Sequence, residues 1–498
     1  MNVRYLPIAL LAATVATPAL GQSARQAENE WYQAGQARIQ AELAKQVNTN
    51  TAKNVVLMIA DGNGVGTNYA TRLFMGQQEG NYGDEYVMPY EKFPNLGLAK
   101  TYNTNAQTPD SAGTGTAMMS GVKTKAGVVG VTAGVNRGDC STLPGNTTTS
   151  ISEILHDMGK STGFVTTTRV THATPATAYA KTVERNFEDD SELPENCNTQ
   201  TDIATQLVDA MDAGLIQVAM GGGYRHFIPE GEELLVGGTG RRMDGNDLVD
   251  RAKDLGAYHA HDNASFADAP TDGTPLLGLF EASHMMYSAD RYDEPSIADM
   301  AETAVKSLSN DEDGFFLQVE SGRVDHANHA GNLARVLHDG AAFAEAVERV
   351  IDMVDLSETL VIVTADHEHA LAFNGYCGRG SDILGLCMGI DDSGVEHTGE
   401  PRLGADDKPY TVAGYLNGPG SVLMKQEDGS YTGTRPEVSE EQATDIDYIQ
   451  QALIPRSSET HAGPDVAVYA NGPWSHLVDG TMEQNVVFHV MNHAVNPY

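Results

Sequence analysis

Short apolar runs rich in β-branched residues recur along the chain, separated by stretches with apolar positions at helical spacing. The runs are Val55 to Ile59, Gly163 to Thr168, Gln217 to Met220, Phe315 to Val319, Leu360 to Val363 and Val466 to Tyr469. Alternating with helical stretches such as Ile203 to Ala213 and Ala341 to Val354, they predict an α/β fold with a mostly parallel central sheet and helices on both faces. Ahead of the first run, Trp31, Ala34, Ile39 and Leu43 fall at helical spacing among helix formers. They predict an N-terminal helical arm over about 28–47. From about Gly375 to Pro455 the composition shifts to Gly, Asp, Ser and Pro with weak periodicity, so a loop-rich insertion is expected there.

The start of the chain reads differently. Residues 1–21 carry an early cation at Arg4, an apolar stretch from Leu6 to about Val15, and small residues Ala19 and Gly21 before Gln22. This is the pattern of an export signal, and it predicts a periplasmic or extracellular protein whose single domain covers 22–498. No other uninterrupted apolar stretch reaches the roughly 18 residues of a membrane span. With 41% hydrophobic and 20% charged residues over 498 positions, the chain can bury a large core.

Thirty-one basic residues stand against 68 acidic ones, a net charge of −37. That balance excludes nucleic acid as a stable partner. It also repels small anions at long range, so an anionic substrate needs strong local positive charge, or salt that screens the surface. A saline habitat and simple solubility both account for the acidity. Cys140, Cys197, Cys377 and Cys387 are an even count without any C-x-x-C spacing. They permit two disulfides in any of three connectivities, and their spacing disfavours a zinc cluster.

In open α/β sheets ligands bind beyond the carboxyl ends of the strands, so the residues that follow each run carry the chemistry. Val55 to Ile59 is followed by Asp61, Phe315 to Val319 by Glu320, Asp325 and His329, and Leu360 to Val363 by Asp366-His367. The run from Gly163 leads to His172 and Thr174. Alone, an Asp before Gly is a turn former, and Asp325 with His329 can be one solvated helix face. Together these donors suit one metal cluster. In Asp110-Ser111-Ala112-Gly113-Thr114-Gly115-Thr116-Ala117 a serine precedes small residues that can open a helix. Such a serine feels the positive end of the helix dipole and can be approached by a bulky anion, although an ordinary N-cap has the same signature. It is not a G-x-S-x-G elbow, which weakens a Ser-His-Asp hydrolase reading.

These residues resemble the alkaline phosphatase family, its vertebrate branch more than its short bacterial one, over most of the chain. The resemblance rests on Thr51 to Val55, Asp110 to Ala117, Val165 to Thr177, Glu184-Arg185-Asn186, Gly278 to Glu281, Phe315 to Glu320, Thr364 to His367 and Glu459 to Val466, in that order. It implies one zinc held by Asp325, His329 and His461, and a second held by Asp61, Asp366 and His367. A third metal, magnesium, would take Asp61, Thr174 and Glu320. Arg185 matches a phosphate-clamping arginine, whose planar fork suits two phosphate oxygens; a surface ion pair with Glu184 or Glu188 is the lesser alternative. The family also implies a homodimer, a crown-like insertion, and bridges Cys140–Cys197 and Cys377–Cys387.

Some positions depart from the family pattern. Asn63 stands where Met is common. His172 and His326, beside the metal positions, stand where the short bacterial branch has Asp and Lys, which leaves the third site open to zinc as well as magnesium. His259, His261 and His369 receive no role. The implied reaction converts phosphate monoesters to alcohol and inorganic phosphate through a phosphoserine on Ser111. A diesterase or sulfatase on the same scaffold is the nearest rival, and a non-catalytic phosphate or metal binder is the next. Ser111 argues against the latter.

Overall fold

The computed structural model describes residues 25–497, so the expected export segment, 1–21, lies outside the described residues. The described chain falls into two compact units, one ending at Val47 and one running from Asn48 onward. The first contains helix α1, Glu30–Ala44, capped by the Asn29 carboxamide. None of its residues is buried, and Trp31 and Leu43 are each 74% exposed.

The second unit is built on a ten-stranded sheet. Its first eight strands are β1 (Asn54–Ala60), β2 (Asn95–Lys100), β3 (Ser161–Arg169), β4 (Val218–Gly222), β5 (Tyr258–Ala260), β6 (Leu276–Leu279), β7 (Phe315–Ser321) and β8 (Thr359–Thr364). Val466–Asn471 and Gly480–Glu483 complete it. Across the sheet the order is Gly480–Glu483, β2, Val466–Asn471, β8, β1, β7, β3, β4, β6, β5. All neighbours are parallel except at Val466–Asn471, which runs antiparallel to both β2 and β8.

β1 is buried along its whole length, and its alternation divides the core. Val55, Leu57 and Ile59 pack into one hydrophobic cluster with Met118, Leu207 and Val487, while Val56, Met58 and Ala60 pack into another with Met300, Phe343 and Val347. Successive side chains of a strand point to opposite faces, so a strand apolar at every position needs helices on both sides. Ser111–Ser120, Ile203–Asp212 and Val486–Val495 supply one layer, and Ile297–Leu308 and Leu333–Met353 the other.

The 375–455 segment is loop-rich and carries small sheets of its own. Ala413–Gly418 pairs antiparallel with Leu371–Phe373 and parallel with Ala452–Pro455, beside a hairpin of Met424–Lys425 and Tyr431–Thr432. Disulfides join Cys140 to Cys197, with Cα atoms 5.4 Å apart, and Cys377 to Cys387, at 4.8 Å. Among the described residues no helix is long and apolar enough to cross a membrane.

Candidate active site

Four adjacent strands, β8, β1, β7 and β3, deliver the chemistry from their carboxyl ends. Asp61 follows β1, Glu320 is next to last in β7, Asp366-His367 follows β8, and β3 leads to His172 and Thr174. The turn after β1 depends on Gly62. Its φ is +67°, and a Cβ there would stand 2.3 Å from His369 Nε2, so only glycine permits both the conformation and the approach.

At one end of the site two imidazoles face each other. His329 Nε2 and His461 Nε2 lie 3.1 Å apart, and they are 3.3 and 3.2 Å from Asp325 Oδ1. His329 Nδ1 donates to the Glu459 carbonyl at 2.6 Å, and His461 Nδ1 donates to the Pro109 carbonyl at 2.9 Å. Carbonyls only accept, so each Nδ1 carries a proton, and both Nε2 atoms are directed at one carboxylate oxygen. Burial lowers the His329 pKa and favours the neutral ring. Two ring nitrogens and a carboxylate oxygen gathered this closely can share a cation, and a nitrogen-nitrogen-oxygen set suits zinc.

In the middle, His367 Nε2 lies 3.2 Å from Asp61 Oδ1, 3.5 Å from Asp366 Oδ2 and 3.1 Å from Ser111 Oγ. Burial above all holds His367 at a pKa of about 3, so it brings no positive charge. Burial, followed by the charges of Asp366, Asp325 and Glu320, pushes the Asp61 pKa well up. Such a cluster of enclosed carboxylates calls for a counter-cation.

The other end presents oxygen. Asp61 Oδ1, Thr174 Oγ1 and Glu320 Oε1 are buried without a hydrogen-bond partner, an arrangement suited to metal ligands. Ligand atoms of Asp61, Glu320 and His172 lie within 4.8 Å of one another. Burial, followed by the neighbouring arginines, holds the His172 pKa well below its usual value. The neutral ring therefore accepts from Arg185 Nη2 through Nε2 at 2.9 Å and keeps its proton on Nδ1. Burial raises the Glu320 pKa to about 7 against the hydroxyls that contact it. The donor sets thus fit two ions of zinc type and a harder third ion.

Ser111 opens the helix Ser111–Ser120 and is buried. Asp110 caps that helix through Ala112 N, accepts from Gly127 N at 2.7 Å, and takes the Arg185 Nη1 donor at 2.5 Å. Burial works against the ionised Asp110 carboxylate, but Arg185 and the Gly127 N–H outweigh it and hold its pKa at about 2. Neither acidic neighbour of Arg185 in sequence pairs with it, since Glu184 binds Arg137 and Glu188 binds Arg169. His326 accompanies the site, with its ring 5.6 Å from that of His172 and its Nδ1 3.0 Å from Arg323 Nη1. Burial lowers its pKa to about 3.

His369 is the residue that the sequence reading passed over. It is fully buried, with Nε2 2.9 Å from Asp325 Oδ1 and Nδ1 2.6 Å from Glu459 Oε2. Burial opposes its charge, yet the two carboxylates raise its pKa to about 10, making it an imidazolium that braces Asp325. It stands opposite His461 in a short antiparallel pairing, which neither segment signals alone. Thr114, whose hydroxyl donates to Asp366 Oδ2 at 3.2 Å, carried no signal in the sequence either.

A serine at a helix start, with an arginine held beside it and metal-type donors around it, suits a hydrolase of anionic esters. Residues 52–496 match the family model described as alkaline phosphatase. The chain belongs to the alkaline phosphatase family and is a phosphoric monoester hydrolase. It is 40% identical to the tissue-nonspecific alkaline phosphatase of Homo sapiens over 465 residues, covering 90% of this chain and 85% of that one. It is 41% identical to an alkaline phosphatase of Gadus morhua, covering 90% of this chain and 92% of that one. The fold is shared with solved alkaline phosphatases. That of Thermus thermophilus superposes with a TM-score of 0.65 at 24% identity, covering 92% of this chain and 94% of that one. That of the Antarctic bacterium TAB5 gives 0.60 at 21%, covering 90% and 99%.

Proposed function

We propose that the protein hydrolyses phosphate monoesters through a phosphoserine on Ser111, beside two zinc ions and a third metal, magnesium or else zinc. Asp325, His329 and His461 hold one zinc, and Asp61, Asp366 and His367 hold the other. Asp61, Thr174 and Glu320 hold the third ion. The observation that carries this reading is the pair of Nε2 atoms facing each other beside Asp325, with Ser111 in contact with the adjoining His367.

When bound, such ions lower the pKa of a hydroxyl and stabilise the charge on phosphoryl and leaving oxygens. Ser111 Oγ attacks phosphorus in line, the ester P–O bond breaks, and the alcohol leaves with the proton that the serine gives up. Water then cleaves the Ser111 phosphoester, releasing inorganic phosphate and restoring the hydroxyl. Arg185 donates to two phosphoryl oxygens through a guanidinium that Asp110 and His172 hold in orientation. Positioning and charge dominate because the transition state of phosphoryl transfer is loose. Local cationic charge overcomes the acidic surface at contact range.

Residues 22–498 are the mature single domain, exported to the periplasm or the cell exterior after loss of 1–21. The protein acts as a homodimer through its N-terminal arm; the exposed Trp31, Ile39 and Leu43 of α1 support a partner there. A monomeric mass in solution would contradict that assignment. The catalytic reading is tested by metal analysis together with turnover of an aryl phosphate, its diester and its sulfate, before and after chelation. Zinc-dependent preference for the monoester is expected, and turnover indifferent to chelation would refute it.

A further inference from the structure

The third-metal end contains a device that no ligand assignment uses. Thr166 on β3 stands opposite Glu320 on β7 in the parallel register, and β3 departs from regular pairing with β4 between Val165 and Arg169. There Thr166 and Thr168 both reach one carboxylate oxygen. Thr166 Oγ1 donates to Glu320 Oε2 in a short hydrogen bond, and Thr168 Oγ1 lies 3.2 Å from the same atom. Thr168 N donates to Thr166 Oγ1 at 2.8 Å, and the two hydroxyl oxygens are also 2.8 Å apart. The relay from amide to hydroxyl to carboxylate polarises each member.

Room for this arrangement comes from two glycines. A Cβ on Gly221 would stand 2.7 Å from Thr166 Cγ2, and one on Gly322 would stand 2.1 Å from Thr168 Cγ2. The methyl groups are thus seated and the hydroxyls turned inward. The other carboxylate oxygen, Glu320 Oε1, is left buried without a partner.

We infer that Thr166 and Thr168 are positioning residues that make Glu320 a one-oxygen ligand, and so bias the third site toward small, six-coordinate magnesium over a larger cation such as calcium. The reason is geometric. Calcium readily takes both oxygens of a carboxylate and tolerates irregular shells, whereas magnesium demands a compact octahedron and keeps several waters. A carboxylate with one oxygen already bound by hydroxyls serves the second ion better than the first. Groups that hold a metal ligand in place commonly govern affinity as strongly as the ligand itself. The inference rests on the third-site reading proposed above.

The test titrates zinc-loaded enzyme calorimetrically with magnesium and, separately, with calcium. Thr166→Val keeps the volume and removes the hydroxyl; Thr166→Ser keeps the hydroxyl. Thr166→Val is expected to weaken magnesium binding by about 10- to 100-fold, with calcium less affected, so that the preference narrows. Thr166→Ser is expected to behave like the wild type. An unchanged magnesium-to-calcium preference in the valine variant, or a serine variant as impaired as the valine one, would overturn the clamp. If the wild type itself takes up no third divalent ion, the third-site reading fails and the clamp fails with it. Should Thr166→Val not fold, Thr168→Val gives the same comparison with a smaller expected loss, and no change in preference there is equally fatal.

Discussion

The two ends of the site solve the problem of attracting cations in opposite ways. Around Asp325 the donors are imidazoles whose Nδ1 protons are tied to the backbone carbonyls of Glu459 and Pro109, and the excess negative charge is tempered by the buried imidazolium of His369. Around Asp61, Glu320 and Thr174 the donors are oxygens, and no protonated imidazole faces them; His172 is neutral and already engaged by Arg185. The first end is pre-set by main-chain hydrogen bonds and is ready for a nitrogen-seeking ion at neutral pH. The second holds its carboxylates partly protonated until an ion displaces the proton. Softness of donor and readiness of site therefore vary together along one sheet edge.

The comparison can be broken most severely by stripping both ends. Chelation is expected to abolish aryl phosphate turnover, with zinc restoring most of it and magnesium the remainder; recovery with magnesium alone would invert the assignment of the ends. Ser111→Ala is expected to reduce turnover by on the order of 10^4- to 10^6-fold and to eliminate acid-stable phosphoenzyme while leaving the content of both ion types intact. Arg185→Ala is expected to raise the inhibition constant for phosphate by about 10- to 100-fold, as loss of a charge-assisted fork should, and an unchanged constant would show that the guanidinium does not grip the anion.

The smallest effect concerns pH. The Glu320 carboxyl has its pKa raised to about 7 in the metal-free fold, with Asp61 raised as well. Between the ordinary carboxylate range and about 7, the folded chain then binds more protons than the unfolded one, so stability contributed by these groups falls as pH rises through that window. Melting of metal-stripped protein should shift downward by a few degrees over that range, and magnesium should cancel the shift. A melting temperature that climbs from pH 5 to 7 without metal would contradict the protonated state assigned to the oxygen-rich end.

Much of this arrangement was legible in the chain because strand periodicity and ligand chemistry coincide. Asp61, Glu320 and Asp366-His367 each sit where an apolar run stops, and a buried polar group at such a point requires a partner. β2 was not foreseen; Leu96 and Leu98 are exposed while Gly97 and Ala99 are buried, so it lacks the continuous apolar signature of the central strands. β6 was missed because four residues, Leu276–Leu279, are too few to separate strand from helix by period. His369 and the Thr166–Thr168 pair escaped for a different reason. Their roles arise from pairing register and a local irregularity in β3, which are relations between distant segments and leave no mark on either segment alone.

The short antiparallel contact between His369 and His461 has a consequence for how the molecule comes into being. His461 reaches back across 352 positions to the carbonyl of Pro109, near the end of a chain of 498 residues. On the proposed assignment, a growing polypeptide lacks one zinc ligand until His461 has been added, and contacts of such sequence separation are slow to form. The proposed zinc site is therefore complete only once these two distant segments have joined.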